Sequence, residues 1–274
     1  MLGAACAMCL VLASGVPRPL ATAMSTTSHT LTTTQAGSNE LVTEAEAAAE
    51  GALLGIMVFD RQTDQVVLEH DADRRFTTAS LVKVLIALDW MQQIAGGGRP
   101  SAAETRQIKQ MLSSSDDPTA SELWMAAGGP GIVTRAINRM GLEHTEPPAE
   151  PGRWGDTLIS AADMVRVYRY LMEEAPAAHR EIVLDALRNM TPRGSDGYDQ
   201  TFGIPDAAGN RPWAVKQGWS CCIDYLIRHT SGLVGPDDRY IVVVLTAHSL
   251  STPKAVADDR TTAVTAAVLR ALEP

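Results

Sequence analysis

The sequence predicts an α+β fold, in which an antiparallel sheet from both chain ends is flanked by helices and a mainly helical lobe is inserted between its strands. Three observations carry this reading. Short β-rich runs cluster at residues 53–70 and again at 213–247. Helical periodicity dominates the stretch between them, and no internal repeat interrupts the pattern. The 274 residues, 45% of them hydrophobic and 20% charged, suffice to bury the core of one large domain or two small ones.

Along the chain, residues 2–16 form an apolar stretch of signal-peptide length, and Ala21-Thr22-Ala23 supplies the small-x-small pattern of a cleavage site. Residues 1–23 therefore read as a signal peptide for a secreted or cell-envelope protein, or a cytoplasmic one if Met24 is the true start. Neither Cys6 nor Cys9 has the aliphatic residue three positions upstream that a lipid-attachment signal needs. Residues 24–44, rich in Ser and Thr, read as a solvated linker, with folding expected to start near residue 45.

LLGIMVF (53–59) and QVVLEH (65–70) read as a hairpin. Met164, Val167, Tyr168 and Leu171 recur on one helical face, and Ser160 with Asp163 has capping-box spacing at its start. WAVK (213–216), IDYLIRH (223–229) and YIVVVLTA (240–247) read as strands, with SGLVGPDD (231–238) as a connecting turn. Thr252-Pro253 opens a last helix that carries Val264, Val268 and Leu272. The expected division is an α/β lobe of residues 45–79 and 208–274 around a helical lobe of residues 80–207.

Composition excludes several function classes. A formal charge of −9 argues against binding nucleic acid or an anionic membrane, both of which need a basic field. No stretch after the N-terminus approaches the roughly 20 apolar residues of a membrane span. Cys221 and Cys222 are adjacent and make no disulfide framework, and the six histidines are scattered without ligand spacing, so neither metal nor other cofactor is expected. A monomer acting on a small-molecule or peptide substrate fits this profile.

ASLVKVLIAL (79–88) is apolar around a whole helix except for Ser80 and Lys83. Their i, i+3 spacing puts a hydroxyl and an amine on one face, as a nucleophile and its base require. Burial and the positive helix end both favour the neutral amine that can take the serine proton. A snorkelling lysine beside a capping serine remains the alternative for this pair taken alone. Two later pieces join it: Ser115-Asp116-Asp117 after a short helical segment, and Lys216-Gln217-Gly218 on the C-terminal strand group.

The order Ser-x-x-Lys, Ser-x-Asp, Lys-x-Gly resembles the signature of the penicillin-recognising serine hydrolases, the class A β-lactamases and penicillin-binding peptidases. SSDDPTASELW (114–124) and WGDTLISAADM (154–164) extend the similarity, which runs from about residue 45 to the end. The resemblance implies a β-lactamase/transpeptidase-like fold. It also implies Ser80 as the acylated nucleophile, Lys83 as its base, Ser115 as a proton relay and Lys216 as an electrostatic partner of Ser115. The oxyanion hole would be the N–H groups of Ser80 and Trp219, and Asp117, Gln217 and Gly218 would contact substrate, with Gly218 keeping the strand edge clear for it.

Four departures bear on substrate and turnover. Asp117 stands where the family has an amide donor, so it accepts hydrogen bonds only, and it can pair with Lys83 or Lys216. Gln217 replaces a threonine. The Glu-x-x-Leu-Asn pattern of the deacylating loop is missing from residues 141–156, leaving Glu143, Glu146 and Glu150 without an assigned role. The interval from Ser80 to Ser115 is shorter than in class A enzymes. The expected activity is acyl-enzyme formation on an amide or ester, including D-alanyl peptides, with slow release. A non-catalytic sensor on the same fold and a true β-lactamase are the alternatives. Asp199, Gln200, Arg228 and His229 are further candidates for the cleft or for structural roles, and no Gly-x-Ser-x-Gly elbow points to an α/β-hydrolase.

Overall fold

The computed structural model describes residues 27–94, 98–220 and 224–273, with the side chains of 27–36 and 94 set aside; the expected signal peptide and Cys221-Cys222 lie outside the described residues. In order the elements are α1 (Thr27–Ala49), β1 (Leu53–Asp60), β2 (Gln65–His70), β3 (Phe76–Thr77), α2 (Val82–Ile94), α3 (Ala102–Ser113), α4 (Asp117–Ala126) and α5 (Gly131–Met140). They continue with β4 (Leu158–Ile159), α6 (Ala161–Glu173), α7 (Ala177–Arg188), α8 (Ile204–Ala207), β5 (Trp213–Ser220), β6 (Leu226–Val234), β7 (Tyr240–His248) and α9 (Lys254–Leu269).

The main sheet has five strands in the order β2-β1-β7-β6-β5, each neighbouring pair antiparallel. Both of its faces are covered, which is why β7 shows no apolar-polar alternation in the sequence. Ile241, Val243 and Leu245 point into the core under the inserted helices, and Val242 and Val244 into a second core beneath α1 and α9. The first core is centred on α2, whose residues from Val82 to Met91 are buried on every side. No described helix is long and apolar enough to cross a membrane.

Three expectations change at the boundaries. Helix α1 begins at Thr27, inside the stretch expected to be linker, because Leu41, Val42, Ala45 and Ala49 give its C-terminal half an apolar face that packs on α9 and β2. The connecting turn is shorter than SGLVGPDD, since β6 runs on to Val234 with Ser231 paired to Lys216 across the sheet. Helix α9 starts at Lys254, so Pro253 takes the cap position and not the first turn. Helix α6 opens as expected, with Ser160 Oγ accepting from Asp163 N at 3.1 Å.

Candidate active site

Ser80 sits in a 3-10 turn, Ala79–Leu81, immediately before α2. The turn is pinned from outside: Thr78 N donates to Thr157 O at 2.7 Å and Leu81 N to Thr78 O at 3.0 Å. Ala79 adopts φ 46°, a left-handed conformation that costs a non-glycine residue energy and is held only because its surroundings fix it. Lys83 lies within the first turn of α2 and is fully buried, so its ammonium must be satisfied by the protein.

Its partners lie close. Lys83 Nζ is 2.8 Å from Ser80 Oγ, 2.7 Å from Ser115 O, 3.2 Å from Ser115 Oγ and 2.5 Å from Asp117 Oδ1. The Trp154 ring lies beneath it at 4.8 Å. Burial pushes the amine below the ordinary lysine range, while Asp117 pulls it back up.

Ser115 precedes α4 and also has a positive φ, of 55°. Its two chain neighbours anchor it: Asp116 caps α4, accepting from Thr119 N at 2.9 Å, and Ser195 N donates to Ser114 O at 2.7 Å. Across the cleft, Lys216 Nζ donates to Ser115 Oγ and to Gln217 O, each at 2.9 Å. Burial lowers Lys216 well below the ordinary range, and the Lys83 charge adds to that effect. Thus Ser80, Lys83, Ser115 and Lys216, from three separate parts of the chain, form one hydrogen-bonded chain.

The cleft in front of Ser80 has a volume of about 460 Å³ and is lined by Asp117, Arg153, Trp154, Asp156, Asp196 and Trp219, among others. Strand β5 packs against the Ser80 turn, and Ser80 and Trp219 share the cleft wall. Trp219 is fixed by a stacked Tyr198 at 5.3 Å and by Asp196 Oδ2, which accepts from its indole N–H at 3.0 Å.

One expected substrate contact is corrected. Gln217 alternates with Lys216 and Gly218 along β5, so its side chain leaves on the opposite face of the sheet. It is fully buried there and its amide donates to Gln200 O and Phe202 O, which removes it from the cleft. Gly218 also has a packing role: a Cβ there would lie 3.0 Å from Thr78 O and 3.1 Å from Leu81 Cγ, in the turn that carries Ser80.

The remaining candidates also settle outside the cleft. Asp199 caps its own turn through Thr201, and Gln200 donates to Ser113 O and Thr191 O. Arg228 pairs with Asp258 at 2.5 Å behind the sheet, and His229 Nε2 donates to Thr77 O at 2.9 Å. Glu143 pairs with Arg166 and Glu146 with Arg75, and neither they nor Glu150 line the cleft. Arg153 and Asp196, which do line it, carry no periodic or motif signal in the sequence, whereas Asp156 falls in the WGDTLISAADM segment without having been assigned a cleft role.

Residues 38–103, the stretch holding Ser80 and Lys83, match the model of the β-lactamase enzyme family. Among curated proteins, "Putative lipoprotein LppW" of Mycobacterium tuberculosis is 41% identical over 204 residues, covering 73% of this chain and 64% of the relative, and its Mycobacterium bovis counterpart matches equally. The chain thus spans somewhat less than two thirds of the length of these relatives. Among solved structures, a class A β-lactamase from Mycobacterium abscessus aligns with TM-score 0.69 and 18% identity over 87% of this chain and all of its own. The TLA-3 extended-spectrum β-lactamase gives 0.69 at 14% identity over 88% of this chain and all of its own, and a class A representative from Bacteroides cellulosilyticus 0.68 at 13% over 84% and 96%. The resemblance read from the three motifs is borne out: the chain has the fold, and over residues 38–103 matches the family model, of the penicillin-recognising serine hydrolases.

Proposed function

We propose that the protein is an exported serine acyl-hydrolase that forms a covalent acyl-enzyme on Ser80 with an amide or ester substrate. The observation that carries this is Lys83 Nζ at 2.8 Å from Ser80 Oγ, both buried at the floor of an open cleft. In its free-base form Lys83 takes the hydroxyl proton as Oγ bonds to the substrate carbonyl carbon. The oxyanion that forms is held by the main-chain N–H groups of Ser80 and Trp219. As the bond to the leaving oxygen or nitrogen breaks, Ser115 gives that atom a proton and regains one through Lys83 or Lys216, both within hydrogen-bond reach of its Oγ. Water then cleaves the acyl ester and frees Ser80.

Slow release is part of this reading: Glu143 and Glu146 are held in ion pairs with Arg166 and Arg75, and none of Glu143, Glu146 and Glu150 lines the cleft. A stable acyl-enzyme, as in a peptidase or a sensor, fits this placement better than fast β-lactam turnover. Export is supported by the apolar residues 2–16 with the Ala21-Thr22-Ala23 site and by the curated relatives' description as lipoproteins, which points to the cell envelope. A fluorophosphonate serine-hydrolase probe tests the nucleophile: labelling that maps to Ser80 and is lost in Lys83→Met supports the reading. Labelling of another serine, or none in protein with native circular dichroism, refutes it.

A further inference from the structure

The charge of the cleft wall is set by Asp117, Asp156, Asp196 and Arg153. All four are engaged, but not equally. Arg153 and Asp156 pair with each other, and Asp196 accepts from Trp219 Nε1 at 3.0 Å and from Tyr198 N at 2.9 Å. Asp117 differs. One of its oxygens meets Lys83, yet its side chain is 62% exposed at the mouth of the cleft.

An ionised carboxylate cannot donate to a substrate carbonyl, and its strongest partner is a cationic N–H group. Ser80 Oγ and Asp117 Oδ1 sit on the same lysine nitrogen, at 2.8 and 2.5 Å. An ammonium only a few bonds from a carbonyl therefore reaches Asp117 while that carbonyl lies on Ser80. We propose that the site takes acyl donors carrying a primary ammonium a few bonds from the scissile carbonyl, and that Asp117 recognises this charge. This rests on the reading of Ser80 as the nucleophile.

Docking of such a substrate also prepares the base. The charged groups that face Lys83 are Asp116 and Asp117 on α4, Asp196 in the loop before α8 and Lys216 on β5. Among the carboxylates Asp117 does most to keep the amine protonated. A substrate ammonium shares that carboxylate and repels the lysine charge, so Lys83 shifts toward the free amine when the correct acyl donor binds.

The 4-nitrophenyl esters of β-alanine and butyric acid form a near-isosteric pair, ammonium against methyl, in which nitrophenolate release and intact mass report acylation. Each rate is divided by that ester's spontaneous hydrolysis. The expected result is a preference of the wild type for the β-alanyl ester of about tenfold or more, the scale of one charged hydrogen bond. The preference declines with added salt, because Asp117 is exposed. In Asp117→Asn the ratio of the two esters, read within that one protein, approaches unity. The acid limb of the wild-type pH profile also lies lower for the β-alanyl ester. Equal normalised rates on wild type, or a preference that survives in Asp117→Asn, overturns the proposal while leaving Ser80 as nucleophile. Adducts with neither ester remove both. If Asp117→Asn does not fold, the wild-type ratio and its salt dependence still decide.

Discussion

An ammonium has three N–H donors, yet four oxygens surround Lys83 Nζ, on Ser80, Asp117 and, twice, Ser115. The free amine relieves this crowding by accepting from the Ser80 hydroxyl, so one lysine position serves both protonation states. Burial favours the amine and Asp117 the ammonium, and Asp117→Asn removes the largest opposing influence. With Lys83 as the base of the proposed acylation, the rate with a neutral ester rises as the lysine loses its proton, so lowering its pKa moves the acid limb of the profile to lower pH in this variant. A limb that stays in place means that Asp117 does not govern Lys83. Removing the amine altogether, as in Lys83→Met, lowers acylation by roughly 10²- to 10⁴-fold, the usual worth of a positioned base. Stopped-flow nitrophenolate release measures it, and a loss of less than tenfold contradicts the role.

At the scale of elements, strand alternation on β5 determines which parts of Lys216-Gln217-Gly218 serve the site. Lys216 faces the cleft, Gln217 is turned to the back, and Gly218 lets the Ser80 turn approach the strand. Gly218→Ala presses a methyl against Thr78 O and Leu81, and overpacking of this kind costs about 1–3 kcal/mol. Urea unfolding gives the loss of stability, and acylation falls as well, because the methyl displaces the turn that carries Ser80. An unchanged acylation rate means the turn is not held by that contact.

The four-residue network was legible in the sequence because helical spacing and motif order constrain it, with each member next to a recognisable helix start or strand. Gln217 escapes this reading because a triplet names a strand without saying which of its residues face substrate. Arg153 and Asp196 come from irregular segments held by particular hydrogen bonds, such as Ser195 N to Ser114 O, and no periodicity announces such contacts. Helix α1 escaped notice because its Ser/Thr-rich first half resembles a linker, while the apolar face that anchors it is confined to the second half.

Over the whole molecule, the sheet buries apolar side chains on both faces, and among them sit polar residues held by hydrogen bonds. His229 donates from Nε2 to Thr77 O and accepts at Nδ1 from Thr246 N, an arrangement that requires the neutral ring. Burial lowers its pKa to about 4. Above the ordinary histidine pKa of about 6.5 the ring is neutral in both folded and unfolded chains, and stability is unaffected. Below it the unfolded chain takes up a proton that the native state refuses until about pH 4, so stability falls across that window. The loss reaches about 3 kcal/mol at the acid end. Urea midpoints measured between those two pH values track this decline, and a flat profile contradicts it.

In the proposed reaction Ser80, activated by Lys83, becomes acylated. Intact-mass spectrometry of the protein after incubation with a penicillin and, separately, with an activated ester, run beside Ser80→Ala, tests it most directly. The expected result is a persistent adduct of the acyl mass on the wild type with at least one reagent and none on the variant. An unmodified wild type that consumes neither reagent, or an adduct that persists in Ser80→Ala, contradicts it.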